Sequence, residues 1–336
     1  MNANRIVACF AALVAFATCP TAHAQLFRAY VSSTGLDTNP CSLQQPCRLL
    51  PAALTVVADG GEIWMLDSAN YNTSSVIVTK SVTILAIPGA VGSLVSTGSI
   101  DALSINASGI KVTLRNLVFV HLTASGTGVN FVQGAQLGIS NCEFANIQGT
   151  AIYAQAAGAT VAIRDTVIRG TGASIGVLAS GDVAVSLDNV HSKQHDFAVR
   201  AILGARVTVS NSVLSGSAYG VYAHSTGSAT TRLVIAHSTI SGNFFGIRAQ
   251  TDTAGATVTV TARNNNLSHN SSAAVSAWQT ASSTVNVVLE GNTLVENNAG
   301  VQFASGTPIV YTRSNNTFRF NTPDLSGGAL TNLAAQ

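Results

Sequence analysis

Charged side chains make up only 9% of this 336-residue chain, against about 25% in a typical globular domain. The 16 basic and 14 acidic residues form no basic run or stripe. A phosphate backbone needs clustered cations, so nucleic acid is an unsuitable partner. Beyond the first 24 residues no stretch reaches the roughly 20 continuous apolar residues of a membrane span. No glycine-rich phosphate loop and no Ser/His/Asp triad emerges. Low charge does not make the chain disordered, because apolar residues are 47% of it and recur with a fixed period.

Cysteine is also sparse, at five residues. Two fall in the first 24 residues, which read as a secretory signal: Arg5 gives a positive start, Ile6 to Phe16 an apolar stretch, and Ala22-His23-Ala24 a small-x-small cleavage pattern. Cleavage near Ala24 implies a secreted or periplasmic protein and removes one positive charge from the formal +2. Cys41 and Cys47 bracket a short loop, and in an exported protein that spacing predicts a disulfide. Cys142 remains, with a buried structural role expected.

What the chain has in abundance is a repeat of about 25 residues. Each unit has an alternating apolar strand, an Asn or Asp, an apolar residue three further on, and a short strand beginning Gly-Val or Ala-Ile. Successive turn residues are Asn116, Asn141, Asp165, Asn189, Asn211 and Asn264, with His237 in one rung. Asn tolerates left-handed backbone and suits such a turn. The apolar residues that follow include Phe119, Phe144, Ile168, Leu214, Ile240, Leu267, Leu294 and Phe318. Strands with no helical period define an all-β solenoid: three parallel sheets around an apolar core, in about ten coils. The expected organisation is a signal peptide over 1–24, a cap with a disulfide loop over 25–60, the solenoid over 61–322 and a loose tail over 323–336. An amphipathic helix is predicted over Arg48 to Ala58, interrupted by Pro51 and ended by Asp59-Gly60-Gly61. It would cover the first coil's unpaired strand groups.

From Gly60 to Asn321 the pattern resembles the right-handed parallel β-helix of the pectate lyase-like superfamily. Tyr30-Val-Ser-x-x-Gly35, Asn39-Pro-Cys41, Pro46-Cys47 and Gly60-Gly-Glu-Ile63 also resemble exported bacterial β-helix proteins. The resemblance implies that the strand starting Gly-Val lies in the sheet whose outer face holds the active site of pectin-degrading members.

Strand alternation places the residue after each Gly-Val or Ala-Ile pair on that outer face. This column reads Asn130, Tyr153, Leu178, Arg200, Tyr222, Arg248, Ser276 and Gln302. Rings against sugar faces and guanidinium groups against uronate carboxylates could grip an acidic polysaccharide. Asp182, Lys193, His195, Asp196, His224, Asp252 and Trp278 are expected around it. The ligand-binding candidates are therefore Tyr153, Tyr222, His224, Gln302, Asp182 and Asp252. If the face is catalytic, Asp196, His195, Arg200 and Arg248 are the candidates. The motifs Asn-Thr-Asp, Asp-Asp, His-Gly and Arg-Ile-Lys that the resemblance would require of a polygalacturonase are missing. The column offers no Asp for an esterase. His191-Ser-Lys-Gln-His195 has zinc-like spacing but no third ligand. No metal or cofactor is expected, calcium entering only if the protein is a lyase. The sequence favours a non-catalytic carbohydrate-binding or surface-interaction scaffold; the alternative is a polysaccharide lyase or glycoside hydrolase acting on an acidic polysaccharide at this face.

Overall fold

The computed structural model describes residues 25–122 and 126–333, so the segment read as a signal peptide, 1–24, lies outside the described residues. Every strand pairing in it is parallel. One sheet has 11 strands, one per coil, from Val76–Val78 to Leu325–Ser326. The other 22 strands form two ladders joined into a single sheet. They fuse where Thr160–Gly170 and Ala184–Lys193 run without a break through the bends at Asp165 and Asn189. The three expected strand rows are thus present as two hydrogen-bonded sheets.

The bends follow the predicted turn column. Asn116, Asn141, Asp165, Asn189, Asn211, His237 and Asn264 all have left-handed backbone, with φ between 49° and 55°. Asn and Asp accept that region at least cost among residues with a Cβ. The glycines that open the face strands have a different cause. A Cβ on Gly220 or Gly246 would lie 2.7 or 2.5 Å from a carbonyl oxygen of the following coil.

Inward side chains alternate along each strand and fill the core, among them Ile63, Ile84, Leu114, Phe119, Phe131 and Phe144, all fully buried. Phe119 and Phe144 stack at 4.7 Å between centroids. Later coils replace this apolar filling at two positions with buried asparagine ladders. In the first, Asn265 Nδ2 donates to Asn292 Oδ1 and Asn292 Nδ2 to Asn316 Oδ1, each at 3.0 Å. In the second, Asn243, Asn270, Asn297 and Asn321 are linked in the same way, at 2.8 to 3.2 Å. Each amide also donates to a backbone carbonyl of the coil before, as Asn270 Nδ2 does to Ile240 O at 3.1 Å. These ladders lie one residue after the bend column and five residues further on. Cys142 occupies the first position in its own coil. It is 3% exposed, its thiol directed at the Leu114 and Ser140 carbonyls.

The helix is shorter than predicted, Leu50–Val56, with Pro51 in its first turn. Proline there starts a helix instead of interrupting one, since its missing N–H would have had no helical partner. The chain leaves the helix at Val57, whose strand Val57–Met65 pairs with Leu26–Val31. Helix residues Leu50, Ala53 and Leu54 are buried, and the helix packs on the strands of the first coil. Cys41 and Cys47 form the predicted disulfide. Their loop lies along the first strand, through Tyr30 N to Cys41 O and Ser32 N to Cys47 O, both 2.9 Å. Two short strands within the segment expected as a loose tail pair with the coil before: Leu325–Ser326 joins Val301–Ser305, and Thr331–Asn332 joins Ile309–Thr312.

Candidate functional site

The outer face of the 11-stranded sheet carries the predicted column in unbroken register: Asn130, Tyr153, Leu178, Arg200, Tyr222, Arg248, Ser276 and Gln302 pair successively. Two further columns flank it. Phe197, Tyr219 and Phe245 stand three residues upstream on three successive coils. Ile202, His224, Gln250 and Trp278 stand two residues downstream.

The three columns converge over the coils of Arg200, Tyr222 and Arg248. Phe197 and Tyr219 stack at 4.8 Å with their planes 7° apart, and Tyr219 continues to Phe245 at 5.5 Å. Tyr222 stacks on Phe197 at 5.2 Å and on His224 at 5.2 Å. The guanidinium of Arg200 lies 4.6 Å from the Phe197 ring centre, and that of Arg248 lies 4.8 Å from Phe245 and 5.2 Å from Trp278. This packing buries the site more than strand alternation implies, leaving Tyr222, Arg248 and His224 at 7, 8 and 9% exposure.

Hydrogen bonds fix the orientation. Arg248 donates from Nε to Gln250 Oε1 at 3.0 Å and from a terminal nitrogen to Ser276 Oγ at 3.2 Å. Ser276 Oγ donates on to Gln302 Oε1 at 3.0 Å. His224 Nε2 bonds Asp252 Oδ2 at 2.6 Å, and Gln250 Nε2 donates to Asp252 Oδ1 at 2.8 Å. Among the described residues neither Arg200 nor Arg248 makes an ion pair; five other arginines make none either, but of the seven only Arg248 is buried. Arg200 Nε is buried with no partner in the structure.

The electrostatics follow from this burial. Desolvation raises the Tyr222 phenol above its ordinary value, with the Asp252 charge adding to the effect, so Tyr222 is a proton carrier at neutral pH. Desolvation lowers Arg248 and raises Asp196, the latter opposed by the nearby Arg200 charge. Burial also pushes Asp252 up, but the Gln250 and His224 hydrogen bonds outweigh it and hold this carboxyl below its usual value.

Other predicted residues fall elsewhere. His195 lies inside the solenoid, 2% exposed, on the coil position that carries Asn243 and Asn270 further along. Its backbone N–H donates to Ser217 Oγ at 3.1 Å and its Nδ1 bonds Ser174 Oγ at 2.8 Å. Its expected place on the outer face is thereby corrected. The turn at Gln194, with φ of 63°, rotates the next side chain inward, which strand alternation does not anticipate. Asp182 sits in a turn, paired with Arg206 at 2.7 Å. Lys193 and His191 line a surface depression on the other sheet with Arg169. His191 points out and His195 in, so their spacing does not make a shared metal site. Tyr153 is separated from Arg200 by Leu178 in the column. The acids do not converge: Asp182 is held by Arg206 and Asp252 by His224, a donor set that does not fit calcium.

Sequence reasoning missed Phe197, Tyr219, Phe245 and Gln250. The signal was present in Asp196-Phe-Ala-Val-Arg200, Ala218-Tyr-Gly-Val-Tyr222 and Phe244-Phe-Gly-Ile-Arg248. An aromatic residue precedes the column by three in each of three successive coils.

Residues 69–233 match the family model described as the right handed beta helix region. Among solved structures, the chain resembles the A-module of a mannuronan C-5 epimerase from Azotobacter vinelandii, with a TM-score of 0.57 at 11% identity over 82% of this chain and 91% of that one. A pectate lyase gives a TM-score of 0.57 at 13% identity, over 93% and 80%. The enzymatically active domain of a tailspike from bacteriophage CBA120 gives 0.52 at 11% identity, over 80% and 48%. At these identities the likeness is one of fold. No curated protein matches the sequence. Among the described residues no helix is long and apolar enough to cross a membrane.

Proposed function

We propose that this right-handed parallel β-helix of the pectate lyase-like type binds an acidic polysaccharide along the outer face of its 11-stranded sheet. The observation that carries the reading is the pair Arg200 and Arg248, two guanidinium groups stacked on aromatic rings, the first half-buried and the second buried, neither in a direct ion pair among the described residues. An unpaired cation in such surroundings costs desolvation energy, which a bound anion offsets. Uronate carboxylates match the guanidinium fork, and the half-buried rings of Phe197 and Tyr219 offer apolar surface to sugar rings. The names of two structural neighbours, a mannuronan epimerase and a pectate lyase, lend support through the polymers they mention. The Cys41–Cys47 disulfide supports an exported setting.

Purified protein should be retarded in gels containing polyuronate, and Arg200→Ala and Arg248→Ala should each abolish the retardation. Failure of the unaltered protein to bind any acidic polysaccharide would overturn the reading.

A second reading, β-elimination, is favoured by one observation: the His224–Asp252 pair stands beside Tyr222. The imidazole would take the proton α to a uronate carboxylate held by an arginine. The Tyr222 hydroxyl would give its proton to the departing glycosidic oxygen as that C–O bond breaks and a C=C bond forms. New unsaturated ends in the ultraviolet, lost in His224→Asn and Tyr222→Phe, would establish this chemistry. We expect none, with binding kept in Tyr222→Phe.

A further inference from the structure

We infer that the face reads a disaccharide period: the polymer that binds here presents one carboxylate to the protein for every two sugars. The inference rests on the acidic-polysaccharide reading above and adds which polymer. Arg200, Tyr222 and Arg248 are consecutive members of one in-register column. The two cations are therefore two coil rises apart, about 10 Å at the ordinary strand spacing. An extended sugar unit advances a chain by roughly one coil rise. A ligand lying along the solenoid axis thus meets Arg200, then Tyr222, then Arg248 with successive sugars.

The middle position is suited to a sugar with no carboxylate facing it. Tyr222 is neutral, and its phenol is held up partly by the Asp252 charge. The Arg200 and Arg248 charges oppose that of Asp252 there, so what sets the middle position apart is that its own coil offers no guanidinium, the nearest lying one coil away on either side. The column is uncharged on both sides of the arginines, with Leu178 before Arg200 and Ser276 after Arg248. The column thus holds two cations in eight coils, and the one spacing between them is two coils.

Two polymer classes share this chemistry. In one, uronates alternate with uncharged sugars. In the other, every sugar is a uronate but a two-fold ribbon turns alternate carboxylates away. Polygalacturonate, which winds three sugars to the turn, has the wrong period.

Binding of size-matched oligosaccharides at fixed ionic strength tests the inference, with hyaluronan fragments for the first class, oligomannuronate for the second and oligogalacturonate as the mismatched probe. At least one of the first two should bind roughly tenfold tighter than oligogalacturonate, as expected for one added carboxylate–guanidinium contact. The stronger of the two identifies the class. A Leu178→Arg variant, which places a cation one coil from Arg200 at a half-exposed position, should narrow that gap severalfold by improving oligogalacturonate binding. If oligogalacturonate binds the unaltered protein as well as the others, the period is wrong while the acidic-polysaccharide reading stands. If no acidic oligosaccharide binds, both fall. Circular dichroism and the thermal midpoint of Leu178→Arg confirm that the comparison is between folded proteins.

Discussion

Asn292 Oδ1 accepts two hydrogen bonds from the preceding coil, from the Asn265 backbone N–H and from Asn265 Nδ2, each at 3.0 Å. Both donors are buried. Asn292→Ala removes the shared acceptor and leaves them in an apolar interior, at a cost of about 2–4 kcal/mol. The urea midpoint should fall accordingly. The exposed Asn315→Ala, which removes one acceptor bonded to Gly291 N, should cost less than half as much.

His195 makes stability depend on acidity. Burial depresses its imidazole to about 4, whereas in the unfolded chain it titrates near 6.5. Between those values only the unfolded state takes up the proton, so its stabilising contribution is complete above about 6.5 and falls as pH drops toward 4. The expected loss is on the order of 3 kcal/mol. His195→Asn, which brings the position into line with Asn243 and Asn270, should flatten the profile across that window in denaturant titrations.

Cys142 should be silent toward thiol reagents in the native protein. Burial pushes its thiol up to about 12, so almost no thiolate exists at neutral pH. Iodoacetamide should label it only after unfolding. Labelling of the native protein within minutes would mean that the coil opens there.

Arg200→Lys tests whether charge alone suffices on the face. The ammonium keeps the charge but loses the planar fork stacked on Phe197. Affinity for acidic oligosaccharide should drop about tenfold, with the thermal midpoint nearly unchanged. Addition of salt should weaken the lysine variant more steeply, since its longer, wetter contact is more easily screened.

The bends were legible in the sequence because left-handed backbone restricts residue choice, so Asn116, Asn141, Asp165 and Asn211 announce themselves. The buried ladders were not, because an inward amide contradicts the apolar alternation by which inward positions are found. Their trace was a five-residue spacing, seen in Asn265 and Asn270, Asn292 and Asn297, and Asn316 and Asn321. On the face, strand alternation gave the arginine column in correct register but carried no information about side-chain packing. The burial of Tyr222 and Arg248 depends on Phe197, Tyr219, Phe245 and Trp278 folding over the sheet. His195 illustrates the limit of alternation, which applies within strands and lapses at a turn.

Two inward positions change filling along the solenoid, from Leu117 and Ile147 to the asparagine ladders, while the position of Phe119 and Phe144 stays apolar through Leu267 and Leu294, so the later coils bury more amide relative to hydrocarbon than the earlier ones. Burying hydrocarbon carries a large heat-capacity change and loses strength on cooling, while burying amides carries one of the other sign. Chilling should therefore loosen the earlier coils relative to the later ones, and warming should reverse the bias.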